Sequence, residues 1–223
     1  MSIIPKNLIK EGEHQQQDFK FEIADSRKIA RSLVAFSNTN GGKLLVGVKD
    51  NGAIAGVRSD EEFHMVEAAA QLYCKPEIVF TAKEWTVDGK SILEINIPKM
   101  SNIPHFAKNE DNKWLAYIRV KDKNLLANKI LLEVWKRKKK TKGVYIKYSK
   151  IEKLLLDSLK NEKQITLNQF CKLAKIPRFK AEKVLVNFVL LKIIDINFTE
   201  KGVFYKLNKD YQPNKEIPII ESN

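Results

Sequence analysis

Between Ala35 and Val57 the chain reads AFSNTNGGKLLVGVKDNGAIAGV, and no other stretch limits the fold as tightly. Ahead of it, Ile29, Leu33, Val34 and Phe36 recur at three- and four-residue intervals, the period of a helix, and Asp25 or Ser26 can cap its start. That helix must stop near Asn38, because Asn-Thr-Asn-Gly-Gly supplies residues that tolerate positive φ. The apolar run from Lys43 then reads as a buried strand. Asp50-Asn51-Gly52 forms a turn, and the segment after it reads as a second strand, so that the pair makes a hairpin.

The flanking sequence extends this pattern. In GEHQQQDFKFE, Phe19 and Phe21 alternate with Asp18, Lys20 and Glu22 as in a half-buried strand, which puts Asp18 and Lys20 on the face opposite the aromatics. A helix is predicted over Glu61–Tyr73, starting from Ser59 or Asp60 and ending before Pro76. Strands follow over Ile78–Trp85, Ser91–Ile97 and Trp114–Val120, and a helix over Leu125–Trp135 closes the domain. Connections this short favour antiparallel neighbours, so the fold class is α+β, mixed and mainly antiparallel.

Beyond residue 135 the composition changes. Residues 136–142 carry six positive charges in seven positions, and residues 136–146 read as a basic linker between a first domain (1–135) and a second (147–210). In the second, Tyr148–Leu159 places Ile151, Leu154, Leu155 and Leu159 on one helical face. Thr166 and Gln169 have the spacing of a capping box for a helix that turns Phe170, Leu173 and Ala174 inward. Pro177 opens a third helix bearing Phe179, Val184, Leu185, Phe188 and Leu191. Two short strands, Ile193–Phe198 and Val203–Leu207, flank the turn Thr199-Glu200-Lys201-Gly202. This is the element order of a winged helix-turn-helix. Residues 211–223 read as a frayed tail.

Charge separates the two halves. The formal net charge is +13, yet residues 1–130 hold 19 basic and 17 acidic side chains against 21 and 10 in residues 131–223. A basic excess so localised points to a polyanion. Apolar runs such as Leu44–Val48 and Val184–Leu191 are far short of the ~18–20 residues that span a bilayer, which argues against an integral membrane protein. The first residues lack the apolar core of a secretory signal. Cys74 and Cys171 are distant and form no CxxC, so neither a disulfide framework nor a cysteine-rich zinc site is expected, and a cytoplasmic location follows.

The runs GEHQQQDFK, IARSLVAFSNTNGGKLLVGVKDNGAIAGV, IPKMSNIPHF and LAYIRVKDKNLLAN resemble the Schlafen-type AlbA-like domain over roughly residues 8–130. That family is commonly labelled DNA-binding, and some bacterial members ATP-binding or AAA-like. In many bacterial members a winged helix follows and the protein is called a transcriptional regulator. The resemblance thus implies a bacterial DNA-binding regulator that needs no cofactor. Animal Schlafen proteins are endoribonucleases using three carboxylates and a divalent cation. Glu13, Asp18 and Asp50 stand at the matching positions, Asp18 replacing the usual Glu. By this resemblance they would be catalytic and would hold Mg²⁺ or Mn²⁺ if the chain were such a nuclease.

The residues also read in other ways. Asp18 can simply pair with Lys20, and Asp50 can be the Asx residue of its turn. Asn38, Gly41, Gly42 and Lys43 can cradle phosphate or a nucleotide, or merely cap a helix; the GxxxxGK[ST] spacing of a P-loop is absent. In the second domain Arg178, Lys180 and Lys183 are expected on the outward face of the third helix, with Lys201 and Lys206 on the wing. Lys136, Arg137, Lys138, Lys139 and Lys140 would add a phosphate clamp. The expected partner is nucleic acid, DNA before RNA, bound by a homodimer; the alternatives are the endoribonuclease and a protein-interaction scaffold.

Overall fold

The computed structural model describes residues 3–57, 60–139 and 149–211. Ser59, Lys140 and the rest of residues 140–146 of the expected 136–146 linker, Tyr148, and the tail beyond Tyr211 lie outside the described residues, and residues 136–138 of that linker belong instead to a helix. The chain divides into two units, Met1–Ala127 and Asn128–Asn223.

The first unit is mixed α+β. Its elements run α1 (Ile3–Glu11), β1 (Gln17–Lys20), α2 (Ser26–Ser37), β2 (Gly42–Val46), α3 (Glu61–Leu72) and β3 (Cys74–Lys75). They continue with β4 (Thr81–Val87), β5 (Lys90–Ile97), β6 (Phe106–Lys108), β7 (Trp114–Leu115), β8 (Tyr117–Val120) and β9 (Lys123–Leu126). Four strands form a sheet in the order β1-β2-β5-β4. β1 and β2 are parallel, with α2 as the crossover between them, and the remaining pairs are antiparallel. β3-β6-β7 make a small second sheet, and β8 and β9 a hairpin.

α2 begins as the sequence predicts, with the Asp25 carboxylate accepting from the Arg27 amide at 2.8 Å. Its residues Leu33, Val34, Ala35 and Phe36 are completely buried against Leu44, Val46, Ile95 and Ile97 of the sheet. Burying each large apolar side chain contributes ~1.5–3 kcal/mol. The opposite sheet face, Phe19, Leu45 and Ile92, is covered by Leu8 and Ile9 of α1 and by Ile54.

Several expectations are corrected. The segment after the Asp50-Asn51-Gly52 turn forms only one bridge, Val48 with Ile54, and no strand. Both edges of β2 are already filled, since Val46 faces Lys20 on one side and Leu93 on the other. β1 ends at Lys20, so Phe21 leaves the sheet and stays 40% exposed. The run Trp114–Val120 breaks at Ala116 into strands of two different sheets. Leu125 and Leu126 belong to β9, and the helix expected there starts only at Lys129.

That helix, α4 (Lys129–Lys138), falls in the second unit and is capped by Asn128, whose Oδ1 accepts from the Leu131 amide at 2.8 Å. Its Ile130 and Val134 join Leu155, Leu159, Phe170, Leu185, Phe188 and Tyr205 in one core. α5 (Lys150–Glu162), α6 (Leu167–Ala174), α7 (Arg178–Leu190), β10 (Ile194–Thr199) and β11 (Gly202–Leu207) complete the unit. Thr166 and Gln169 form the expected capping box, and Ser149 with Glu152 forms another. β10 and β11 pair antiparallel, and Ile165 bridges to Tyr205 beside them. On α5, Leu156 is buried where Leu154 was expected. Leu154, Leu173 and Phe179 are exposed, because each points off the arc of its helix that meets this core.

Candidate functional site

The bend that follows α1 and the start of β1 bring Glu13 and Asp18 together. Glu13 Oε1 accepts from the Phe19 amide at 2.9 Å, and its carboxyl also shares a hydrogen bond with Asp18. Two cations complete the cluster. Lys20 Nζ lies 2.8 Å from Asp18 Oδ2, and Arg119 Nη2 lies 3.1 Å from Asp18 Oδ1. The Arg119 side chain is only 1% exposed. It also donates to the carbonyl of Gln17 and to Asn124 Oδ1, and its guanidinium sits over the Phe36 ring. Burial and the Asp18 carboxyl push Glu13 up to about 6. Burial opposes the charge on Asp18 too, but the hydrogen bond from Glu13, Lys20 and Arg119 outweigh it and hold this carboxyl below its usual range.

A divalent cation does not fit these residues. Among the described residues no three His, Cys, Asp or Glu side chains group as metal ligands. Asp50 stands exposed on its turn, where Asn51, rather than Asp50, supplies the Asx hydrogen bond by accepting from the Ala53 amide. Asp18 already has two cationic partners, so a dication there would meet like charge at close range.

Most polar groups of the Asn38–Lys43 turn hold the fold. Asn38 Nδ2 donates to the carbonyls of His105 and Tyr117, each at 2.9 Å, and its Oδ1 accepts from the His105 amide at 2.8 Å. Thr39 Oγ1 accepts from the Arg119 amide. The amides of Gly41 and Lys43 donate to the carbonyls of Phe36 and Gln16, and Lys43 Nζ pairs with Glu94 at 2.9 Å. The Gly41 and Lys43 amides and the Lys43 ammonium, all expected to cradle phosphate, are therefore occupied. The glycines serve close packing. A Cβ on Gly41, at φ +72°, would lie 2.7 Å from the Lys99 nitrogen, and one on Gly42 would lie 2.5 Å from the Phe36 ring.

In the second unit, Lys180, Lys183, Lys201, Lys136, Lys138 and Lys139 are exposed, while Lys206 and Arg137 are half-buried. Arg178 is tied to Glu182 at 3.1 Å and to Asn168 at 3.3 Å. Arg137 binds Glu133 and reaches Asn187 of α7, so it joins two helices rather than standing free. Sequence reasoning missed Arg119 as a member of the carboxylate cluster. Arg119 carried a signal, an arginine inside the apolar strand Tyr117–Val120.

The model of the Schlafen, AlbA_2 family matches residues 13–128. The chain belongs to the Schlafen, AlbA_2 family. The match contains both carboxylates of the cluster, Arg119 and the whole Asn38–Lys43 turn. No curated protein matches the chain. Among solved structures it is similar to the DIP2311 protein of Corynebacterium diphtheriae, at 17% identity and a TM-score of 0.42, over 87% of this chain. The chain spans only 34% of that protein's length. It is also similar to the N-terminal domain of a RecG-related protein from Nitrosomonas europaea, at 20% identity and a TM-score of 0.36. That likeness covers 51% of this chain and 86% of the other. No helix among the described residues is long and apolar enough to cross a membrane.

Proposed function

We propose that this Schlafen AlbA_2 protein binds nucleic acid, and that it is a DNA-binding regulator whose second unit is a winged helix contacting the duplex. The observation that carries the reading is the concentration of positive charge in residues 131–223, much of it on exposed lysines of that unit. The element order α5, α6, α7, β10, β11 agrees with it, as does the isolated bridge from Ile165 to Tyr205 of the hairpin. On this reading Lys180 and Lys201 contact phosphate, and Arg178 chiefly steadies the first turn of α7. A homodimer would present two such helices to successive half-sites.

Binding to labelled duplex DNA, followed by fluorescence anisotropy across a salt series, tests the proposal. Each lysine that neutralises a phosphate contributes about one to the slope of log K against log salt. Lys180→Ala and Lys201→Ala should each flatten that slope by roughly one, uniformly across sequences. A wild-type protein whose binding ignores salt would remove the reading.

A further inference from the structure

α4 and α7 line an open cavity of about 280 Å³ in the second unit, and its lining is unlike a buried core. Its apolar residues are Ile130 and Val186, and beside them stands Phe179, which is 65% exposed in the first turn of α7. A phenylalanine left in water forgoes ~1.5–3 kcal/mol of burial, and here it adjoins an open cavity. Charge at the rim is unbalanced. Glu133 is neutralised by Arg137 at 2.6 Å, and Glu182 by Lys129 at 2.6 Å and Arg178 at 3.1 Å. Lys183 lines the same cavity with no ion-pair partner among the described residues.

The volume limits what can enter. It lies near the lower bound of roughly 300 Å³ for small-molecule pockets, and a helix ~10 Å across is too large to enter it whole. A flat group the size of one base is not. An aromatic wall, an apolar floor and a surplus cation at the rim are the features that hold unpaired bases, whose faces stack on aromatic rings while their phosphates meet lysine.

We propose that this cavity takes an unstacked nucleobase of a single-stranded polynucleotide, stacked against Phe179, with the adjoining phosphate beside Lys183. This inference rests on the nucleic-acid reading above and adds single strands or splayed duplex ends to the ligands of the second unit. It also gives α4 a part in recognition, since Lys129, Ile130 and Arg137 all lie on that helix.

The test uses the full chain, a fluorescein-labelled oligothymidylate and a labelled duplex of equal length, with Phe179→Ala, Phe179→Trp and Lys183→Ala. Phe179→Ala removes an exposed ring, and a thermal melt shows that the fold persists. The expected result is a loss of about 5- to 150-fold on the single strand, the equivalent of ~1–3 kcal/mol per stacked base, with duplex affinity unchanged. Phe179→Trp restores binding, and Lys183→Ala weakens it in a salt-dependent way. Equal losses on both ligands, or none on the single strand, overturn the inference while leaving the nucleic-acid reading in place. So does displacement of the oligonucleotide by a polyglutamate peptide in a Phe179-dependent manner, which would assign the cavity to an acidic protein partner. If the wild type binds neither ligand, the nucleic-acid reading falls as well.

Discussion

Arg119 Nη2 lies 3.1 Å from Asp18 Oδ1, and the two side chains are 1% and 5% exposed. They come from strands a hundred residues apart in sequence, β8 and β1, which share no sheet. Removing one partner of a buried pair leaves an uncompensated charge and typically costs ~3–5 kcal/mol. Because Lys20 still reaches Asp18, Arg119→Met should fall at the lower end of that range in urea unfolding. Adding Asp18→Asn should recover part of the loss. A single mutant with the wild-type midpoint would contradict the pairing.

Glu13 makes stability depend on pH in a predictable direction. Its folded value, about 6, lies above the ordinary 4.5, so the folded state binds the extra proton between those values. This contribution is complete below pH 4.5 and is lost as pH rises towards 6. Asp18, held below 3.8, works in the opposite sense: its contribution is present above that value and is lost in stronger acid. Glu13→Gln should therefore lose the wild type's decline between pH 4.5 and 6 while keeping the acid limb. Parallel melting curves for the two proteins across that window would exclude the shared proton.

Asn38 holds three backbone groups with one amide. Asn38→Ala strands them in a buried site at ~1–3 kcal/mol per unsatisfied group, so a loss of about 3 kcal/mol or more is expected by chemical denaturation. Asn38→Asp sharpens the test. It keeps the acceptor for the His105 amide but turns a carboxylate towards two carbonyls, and its deficit should shrink as pH falls and the acid protonates.

Mg²⁺ or Mn²⁺ should leave the melting temperature unchanged, because a ligand stabilises only the state that binds it. A rise with added metal that Asp18→Asn abolishes would show that Lys20 and Arg119 give way to a cation.

The local signals in the sequence were legible. The Asp25 cap, the helix stop at Asn38, the buried strand after Gly42 and the Thr166/Gln169 capping box all lie within a few residues of the features they specify. What escaped was decided at a distance. Nothing near residue 54 shows that both edges of β2 are taken, and strands of two or three residues such as β3, β6 and β7 are too short to display alternation. α1 was missed because IIPKNLIKE pairs a short apolar start with a proline. The carboxylate cluster was half legible: Glu13 and Asp18 meet, but no spacing announced that Arg119 would fill the space beside them.

The Asp18–Arg119 contact also has a meaning in time. At synthesis rates of roughly 5–20 residues per second, on the order of ten seconds separates the appearance of Asp18 from that of its guanidinium partner. During that interval Asp18 has only Glu13 and Lys20 of the cluster for company. A nascent chain stalled before residue 119 would carry β1 with its buried aspartate lacking one of its two counter-charges, and would be correspondingly open to proteases and chaperones.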